Sequence, residues 1–423
     1  MSLRRDADQI IAEAIEEVLP DRAVKQALKE KEFAKGRIVV AAVGKASWQM
    51  AKAASEILGN RIERGVVLTK YHHVRAELPN IVCYEAGHPV PDQNSFRGTQ
   101  AVLELVKNLT EEDTVLFLLS GGGSALFEQP LIPEEELAEI TRQLLVCGAD
   151  IVEINTIRKR LSGVKGGKFA EYCEPAQVYS IVLSDILGDP LDMIASGPAY
   201  PDSSTCETAL AIVRKYNLKL SKKALSCLKI ETPKQLSNVE TRVSGSVKDL
   251  CRAAARACEK LGYKTVILTD QLTCEAREAG SFLASIAKSY ADSTESLAFI
   301  AGGETVVHVK GSGTGGRNQE LALAAASGIA GLNSTAVFSF GSDGTDGPTD
   351  AAGGFCDDST KERLHQQEID IDEVLKQNDA YNALKKCGGL IVTGATGTNV
   401  NDAAVVLIDR TNAIFNKRQW LGT

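Results

Sequence analysis

The chain of 423 residues has only five histidines, three methionines and two tryptophans. It has ten cysteines, but no two of them form a Cys-x-x-Cys pair. The lack of a Cys/His cluster argues against a structural zinc site. The thiols read as reduced, small core residues of a chain with no secretory leader. No apolar run approaches the ~18 residues that a membrane span needs. The opening MSLRRDADQI meets an Asp before any apolar core and so does not read as a signal peptide. A cytoplasmic protein without membrane partners is therefore expected. Positive charge is not in excess: Lys plus Arg is 47, Asp plus Glu is 55, and the net charge is −8. That balance argues against nucleic acid as a partner. No G-x-x-x-x-G-K-[ST] phosphate loop and no nucleophile–base constellation occurs in the chain.

What is present is an ordinary globular composition, 44% hydrophobic, with 36 glycines. The length predicts two domains. Short apolar runs alternate with stretches of helical period. Strands are expected over residues 37–43, 65–69, 81–84, 114–119 and 178–183, then over 264–269, 297–301, 305–310, 336–340, 390–393 and 404–408. Helices are expected over 46–58, 95–109, 133–146, 247–261, 275–290, 318–329 and 373–387, with a helical opening segment over 1–33. This alternation predicts an α/β fold with mostly parallel sheets covered on both faces. Residues 215–240 carry no strong apolar run, so the domains are placed at 1–235 and 236–423, with the last residues free to pack back on the first domain.

The glycines gather in loops after the apolar runs, where open α/β sheets bind ligands. Gly44 and Lys45 follow the first run. A cation at a helix start faces the positive end of the helix dipole, at a cost of about 0.3–1 kcal/mol that a bound anion would reverse. Ser120, Gly121, Gly122, Gly123 and Ser124 let the backbone approach an oxyanion closely. Residues 158–168 hold five cations. Most of these read as a solvated face, but Arg158 and Lys165 could turn to one anion. Asp185 and Asp189, and later Asp343 and Asp346, are carboxylates that could hold Mg²⁺ or close Asx turns. Gly315, Gly316, Arg317 and Asn318 repeat the glycine–cation pattern at a second helix start. Gly311, Gly313 and Gly316 match G-x-G-x-x-G, but the preceding run contains His308 and Lys310, unlike a buried first Rossmann strand. The polar loop 393–402 either lines a nucleotide or closes a hairpin. His72, His73 and His88 are left outside the site. Glycine loops, cations at helix starts and spare carboxylates together fit phosphoryl transfer, which needs positioning and charge neutralisation.

At these loops the chain resembles the class II glycerate 2-kinases, the MOFRL-type glycerate kinases. The matching stretches are VGKAS, AGHPVPD, SGGGSAL, RKRLSGVKGGK, LSDILGDPLDMIASGP, GGETVV, GGRNQE, GSDGTDGPTDAAG and TGTNVND, in order from Val43 to Asp402. The resemblance implies two unequal α/β domains, a larger Rossmann-like N-terminal one and a smaller C-terminal MOFRL-type one, with the active site in the cleft between them. It implies ATP-dependent phosphorylation of D-glycerate to 2-phosphoglycerate with Mg²⁺. It carries a catalytic pair over to Lys45 and Arg317. Substrate and phosphate binding is then expected at Gly44, Ser120, Gly121, Gly122, Gly123, Ser124, Arg158, Lys165, Gly315, Gly316 and Asn318. Metal binding is expected among Asp185, Asp189, Asp343 and Asp346. Two rival readings remain: an NAD(P)H-dependent hydroxypyruvate reductase, and a sensor that binds without catalysis. The partners expected are small molecules, with a homodimer left open.

Overall fold

The structure, a computed structural model, describes residues 3–411. The chain forms two compact units. One runs from Pro20 to Ser244; the other joins the residues up to Leu19 with those from Gly245 onward. The boundary expected at 235/236 thus lies inside the first unit. The reason is strand Val239–Val243, which pairs with Gln177–Val182 and completes the first sheet. Its sequence, VETRV, carries charge at alternate positions and gives no apolar run. The opening helix, Leu3–Glu17, belongs to the second unit, where it buries Ile10, Ile11 and Ala14. Its Asp6 accepts a hydrogen bond from the buried Tyr263 hydroxyl at 2.7 Å. The final residues, expected to pack back on the first domain, lie outside the described part.

The first unit holds strands β1 (Ile38–Val43), β2 (Ile62–Lys70), β3 (Ile81–Ala86), β4 (Thr114–Leu119), β5 (Gln177–Val182) and β6 (Val239–Val243). Their order is β3-β2-β1-β4-β5-β6, and every pairing is parallel. This is the doubly wound order of a Rossmann-like sheet. Both faces are covered. Val39, Ala41, Val43 and Phe117 join one apolar cluster, while Val40, Ala42, Leu116 and Leu118 join the other. Alternate side chains of one strand point to opposite faces, which is why β1 and β4 read as unbroken apolar runs. The order reverses between β1 and β4, and the loops leaving these two strands are Gly44–Lys45 and Ser120–Ser124.

The second unit holds β7 (Lys264–Leu272), β8 (Leu297–Gly303), β9 (Thr335–Gly341), β10 (Gly353–Asp357), β11 (Leu390–Ile391) and β12 (Asp402–Ile408), in the order β11-β10-β9-β12-β8-β7. The fold is α/β as expected, but the parallel arrangement holds only for β7 and β8 in this sheet. The other pairings are antiparallel. The segments before β10 and before β12 have no crossover helix, and without one a strand returns antiparallel. Residues 305–310 are not a strand. Val306 makes one bridge to Glu275, and Val309 is exposed; the run alternates but has no neighbour to pair with. The helix expected over 373–387 is two helices, Ile371–Lys376 and Ala380–Cys387. They break at Asn378, whose carboxamide oxygen accepts the backbone N–H groups of Lys310 and Gly311. Among the described residues no helix is long and apolar enough to cross a membrane.

Candidate active site

In the first unit the carboxyl ends of β1, β3, β4 and β5 bring several of the expected residues together. Gly44 has φ of +120°, and a Cβ there would meet the Ser120 hydroxyl at 2.3 Å. Only glycine lets the two loops close on each other. The contact is tied by backbone groups: Lys45 N–H donates to the Gly121 carbonyl at 2.9 Å, and Ala46 N–H to Ser120 Oγ at 3.0 Å. Ser120 is therefore a buried structural residue. Gly121 backs onto Asp185, whose carboxylate would lie 2.2 Å from a Cβ added there. Gly123 packs on Ala195 in the same way. The Lys45 side chain is exposed and makes no salt bridge among the described residues. A cation at a helix start with no carboxylate partner is the arrangement that an anionic ligand completes.

Gly122 sits between two side chains. A Cβ on it would be 3.1 Å from Lys45 Cγ and 3.1 Å from His88 Cδ2. His88, which sequence reasoning set aside, thus lies against the same glycine as Lys45. The signal that could have found it is its place just beyond the β3 run, the position in which Lys45 and Ser120 were recognised. On the far side of the loop, Ser124 Oγ lies 3.2 Å from Ser196 Oγ, and its carbonyl accepts from Arg158 at 3.1 Å. Arg158 has no carboxylate within salt-bridge distance among the described residues, and burial pushes it below its ordinary value.

The remaining cations of residues 158–168 overturn the expectation of a solvated face. Lys159 pairs with Asp202 at 3.0 Å, and Arg160 binds Ser204 and Glu231, all within the fold. Lys165 is fully buried and pairs with Glu128 at 2.9 Å, so it is not available to a ligand beside Arg158. Burial pushes Lys165 down to about 8 against the pull of Glu128. Lys168, also lowered by burial to about 8, donates to the carbonyls of Lys159 and Ser162. The partners come from segments distant in sequence, which no local pattern reveals.

In the second unit Arg317 begins the helix Arg317–Ile329. Its guanidinium holds Asp402 with two bonds, of 2.5 and 3.1 Å, and Glu304 at 3.1 Å. Burial disfavours its charge, but these carboxylates outweigh burial and raise it above its ordinary value. The anion demanded by a cation at this helix start is thus supplied by the chain itself. Asp402 and Glu304, which the sequence reading did not place in the site, sit together at the ends of neighbouring strands: Asp402 opens β12 and pairs with Gly303 of β8 and Gly341 of β9, and Glu304 follows β8.

Asp346 does not fit a metal ligand. It is buried, and its two oxygens accept the backbone N–H groups of Asn318 at 3.1 Å and Gln319 at 2.9 Å. Burial raises it to about 6. Asp343 closes an Asx turn on Thr345. Asp189 lies in a turn with φ of +51°. Asp185 and Asp189 belong to one unit, Asp343 and Asp346 to the other. Among the described residues no three His, Cys, Asp or Glu side chains gather to hold a metal. Asn318 is also internal, bonded to Ser339 at 2.5 Å. Gly316 is small because Asp346 would lie 2.2 Å from its Cβ, and Gly315 packs beside Ala380. Gly311 and Gly313 pack on Gln377 and Asp379. No strand leads into them, so the G-x-G-x-x-G match lacks the strand–turn–helix setting of a dinucleotide site. A groove of about 660 Å³ beside helix Ala276–Ser289 is lined by none of the expected residues.

Two family descriptions match the chain: a domain of unknown function (DUF4147) over residues 6–229, and the MOFRL family over residues 297–402. The D-glycerate 2-kinase of Thermotoga maritima is 54% identical over 413 residues, covering 96% of this chain and 99% of that protein. The glycerate 2-kinase of Pyrococcus horikoshii is 41% identical over 435 residues, covering 96% and 98%. A crystal structure of glycerate kinase from Thermotoga maritima superposes with a TM-score of 0.92 at 53% identity, covering 96% of this chain and 99% of that one. With matched motifs in both units and relatives this similar along nearly their whole length, the chain belongs to the MOFRL-type glycerate 2-kinase family.

Proposed function

We propose that this protein transfers the γ-phosphoryl group of ATP to the C2 hydroxyl of D-glycerate, giving 2-phospho-D-glycerate and ADP. The observation that carries the reading is the exposed Lys45 ammonium, unpaired among the described residues, above a glycine loop at the switch point of a Rossmann-like sheet. Phosphoryl transfer asks little covalent chemistry of a protein; it asks for in-line positioning and for positive charge around the migrating group. Lys45 supplies such charge beside its glycine loop, and Arg317, the other cation at a helix start, is the second charge the reaction calls on. The backbone of Gly44, Gly121, Gly122 and Gly123 offers close approach to phosphate or carboxylate oxygens, and Ser124 and Arg158 flank the same loop. Mg²⁺ enters as the counter-ion of ATP, part of the substrate. The partners are small molecules in the cytoplasm.

The experiment is incubation with ATP, Mg²⁺ and D-glycerate, followed by identification of the phosphorylated carbon by ³¹P–¹H NMR. Phosphate coupled to the C2 proton is the expected product. Coupling to the C3 protons, or no glycerate-dependent ADP, would contradict the reading.

A further inference from the structure

Phosphorylating an alcohol releases a proton, and neither Lys45 nor Arg317, both cationic, can take it. His88 lies two residues beyond β3, as Lys45 lies two beyond β1, so its backbone leaves the sheet at the same carboxyl ends as Gly44–Lys45 and the glycine loop. Its ring packs on Gly122: a Cβ there would lie 3.1 Å from Cδ2 and 3.2 Å from Nε2, and 3.1 Å from Lys45 Cγ. His88 and Lys45 therefore flank one glycine from two strands. The imidazole is half-buried, and neither ring nitrogen has a hydrogen-bond partner among the described residues. Its ring nitrogens are thus open beside the glycine loop, one able to accept and the other to donate.

We propose that His88 accepts the proton of the substrate hydroxyl as that oxygen attacks the γ-phosphorus. This rests on the glycerate kinase reading above. The new O–P bond forms at C2, and the bond from the γ-phosphorus to the β,γ-bridging oxygen breaks. That electron pair leaves with ADP, and the hydroxyl proton moves to the imidazole, which afterwards returns it to water. The surroundings suit the task. Burial first, then the charges of Lys45, Lys70 and His73, push His88 below its ordinary value. The ring is thus neutral near pH 7, with one nitrogen able to accept. Asp185, behind Gly121, is the carboxylate that faces the same loop. The gain from such a base is modest here, because a loose phosphoryl-transfer transition state draws little on the nucleophile's proton. A loss near ~10²-fold, the low end for general-base catalysis, is the expected scale.

The test compares wild type with His88→Gln and His88→Ala under saturating ATP, Mg²⁺ and D-glycerate. Wild-type ADP release that depends on glycerate is required first; its absence would overturn the kinase reading and not the role of His88. The expected result is a kcat reduced by about 10²-fold in both variants, a KM for glycerate changed by less than about 3-fold, and partial recovery of the His88→Ala rate by added imidazole. A kcat within about 3-fold of wild type, a loss confined to KM, or a kcat loss that imidazole leaves untouched would each overturn the proposal. The wild-type protein gives a reading that needs no variant. Its five histidines are few enough to follow by ¹⁵N NMR. The His88 resonance is expected to shift when glycerate binds with a non-hydrolysable ATP analogue, and an unmoved resonance would contradict the contact.

Discussion

Gly122 has φ of +87° and is wedged between Lys45 and His88. An alanine there pays about 1–2 kcal/mol for the left-handed backbone and pushes both side chains off the loop. Gly122→Ala is therefore expected to lower kcat/KM for glycerate by at least ~10-fold, a misplacement effect, while thermal melting shows only a modest loss. Wild-type kinetics in a folded variant would remove this packing from the account. A different test concerns Lys165 and Glu128, both buried and paired at 2.9 Å. Lys165→Met strands a buried carboxylate and is expected to cost ~3–5 kcal/mol in urea unfolding. The double variant Lys165→Met/Glu128→Leu is expected to recover most of it. The pH dependence has a defined sign. Burial lowers Lys165 and Lys168 from 10.5 to about 8 in the folded state. Between pH 8 and 10.5 the unfolded chain binds more protons at these two groups, so their contribution to stability rises with pH over that window. At this scale the sequence singled out Lys45 and Arg317, because a cation at a helix start after a glycine is a local pattern. It did not reveal what satisfies Arg317, since Asp402 lies 85 positions away.

The helix Arg317–Ile329 is set in place by Asp346, which caps its second and third residues from a loop beyond β9. The capping carboxylate is raised from 3.8 to about 6 by burial. Between those values the folded protein binds the proton and the unfolded chain does not, so this group's contribution to stability falls as pH rises from about 4 to about 6. Asp346→Asn is expected to flatten the stability profile over that window while leaving the dependence of rate on Mg²⁺ unchanged. A large rise in the Mg²⁺ concentration needed would restore Asp346 as a metal ligand. Strands of the first sheet were legible because burial on both faces makes them continuous apolar runs. β6 was not, because an edge strand carries Glu240 and Arg242 without penalty. Residues 305–310 misled for the opposite reason: Val306, Val307 and Val309 have strand propensity, but β7 already occupies the edge beside β8. Propensity is expressed only where a partner strand exists.

The second unit is not contiguous in sequence, since its helix Leu3–Glu17 packs with Val247–Lys260. No composition shift marks this, so a boundary drawn from the sequence assigns the helix to its sequence neighbours. Asp6→Ala would leave the buried Tyr263 hydroxyl without its partner, at a cost of about 1–3 kcal/mol. Hydrogen exchange is the measurement: amides of Val247–Lys260 are expected to lose protection, and unchanged protection there would contradict the packing. The central claim is that positive charge at Lys45 and at Arg317 is needed for phosphoryl transfer. Its most direct measurement is the kcat of glycerate-dependent ADP release for folded Lys45→Ala and Arg317→Ala. The account predicts that each loses at least ~10²-fold, the scale of a lost transition-state donor; near-normal turnover in either variant would contradict it.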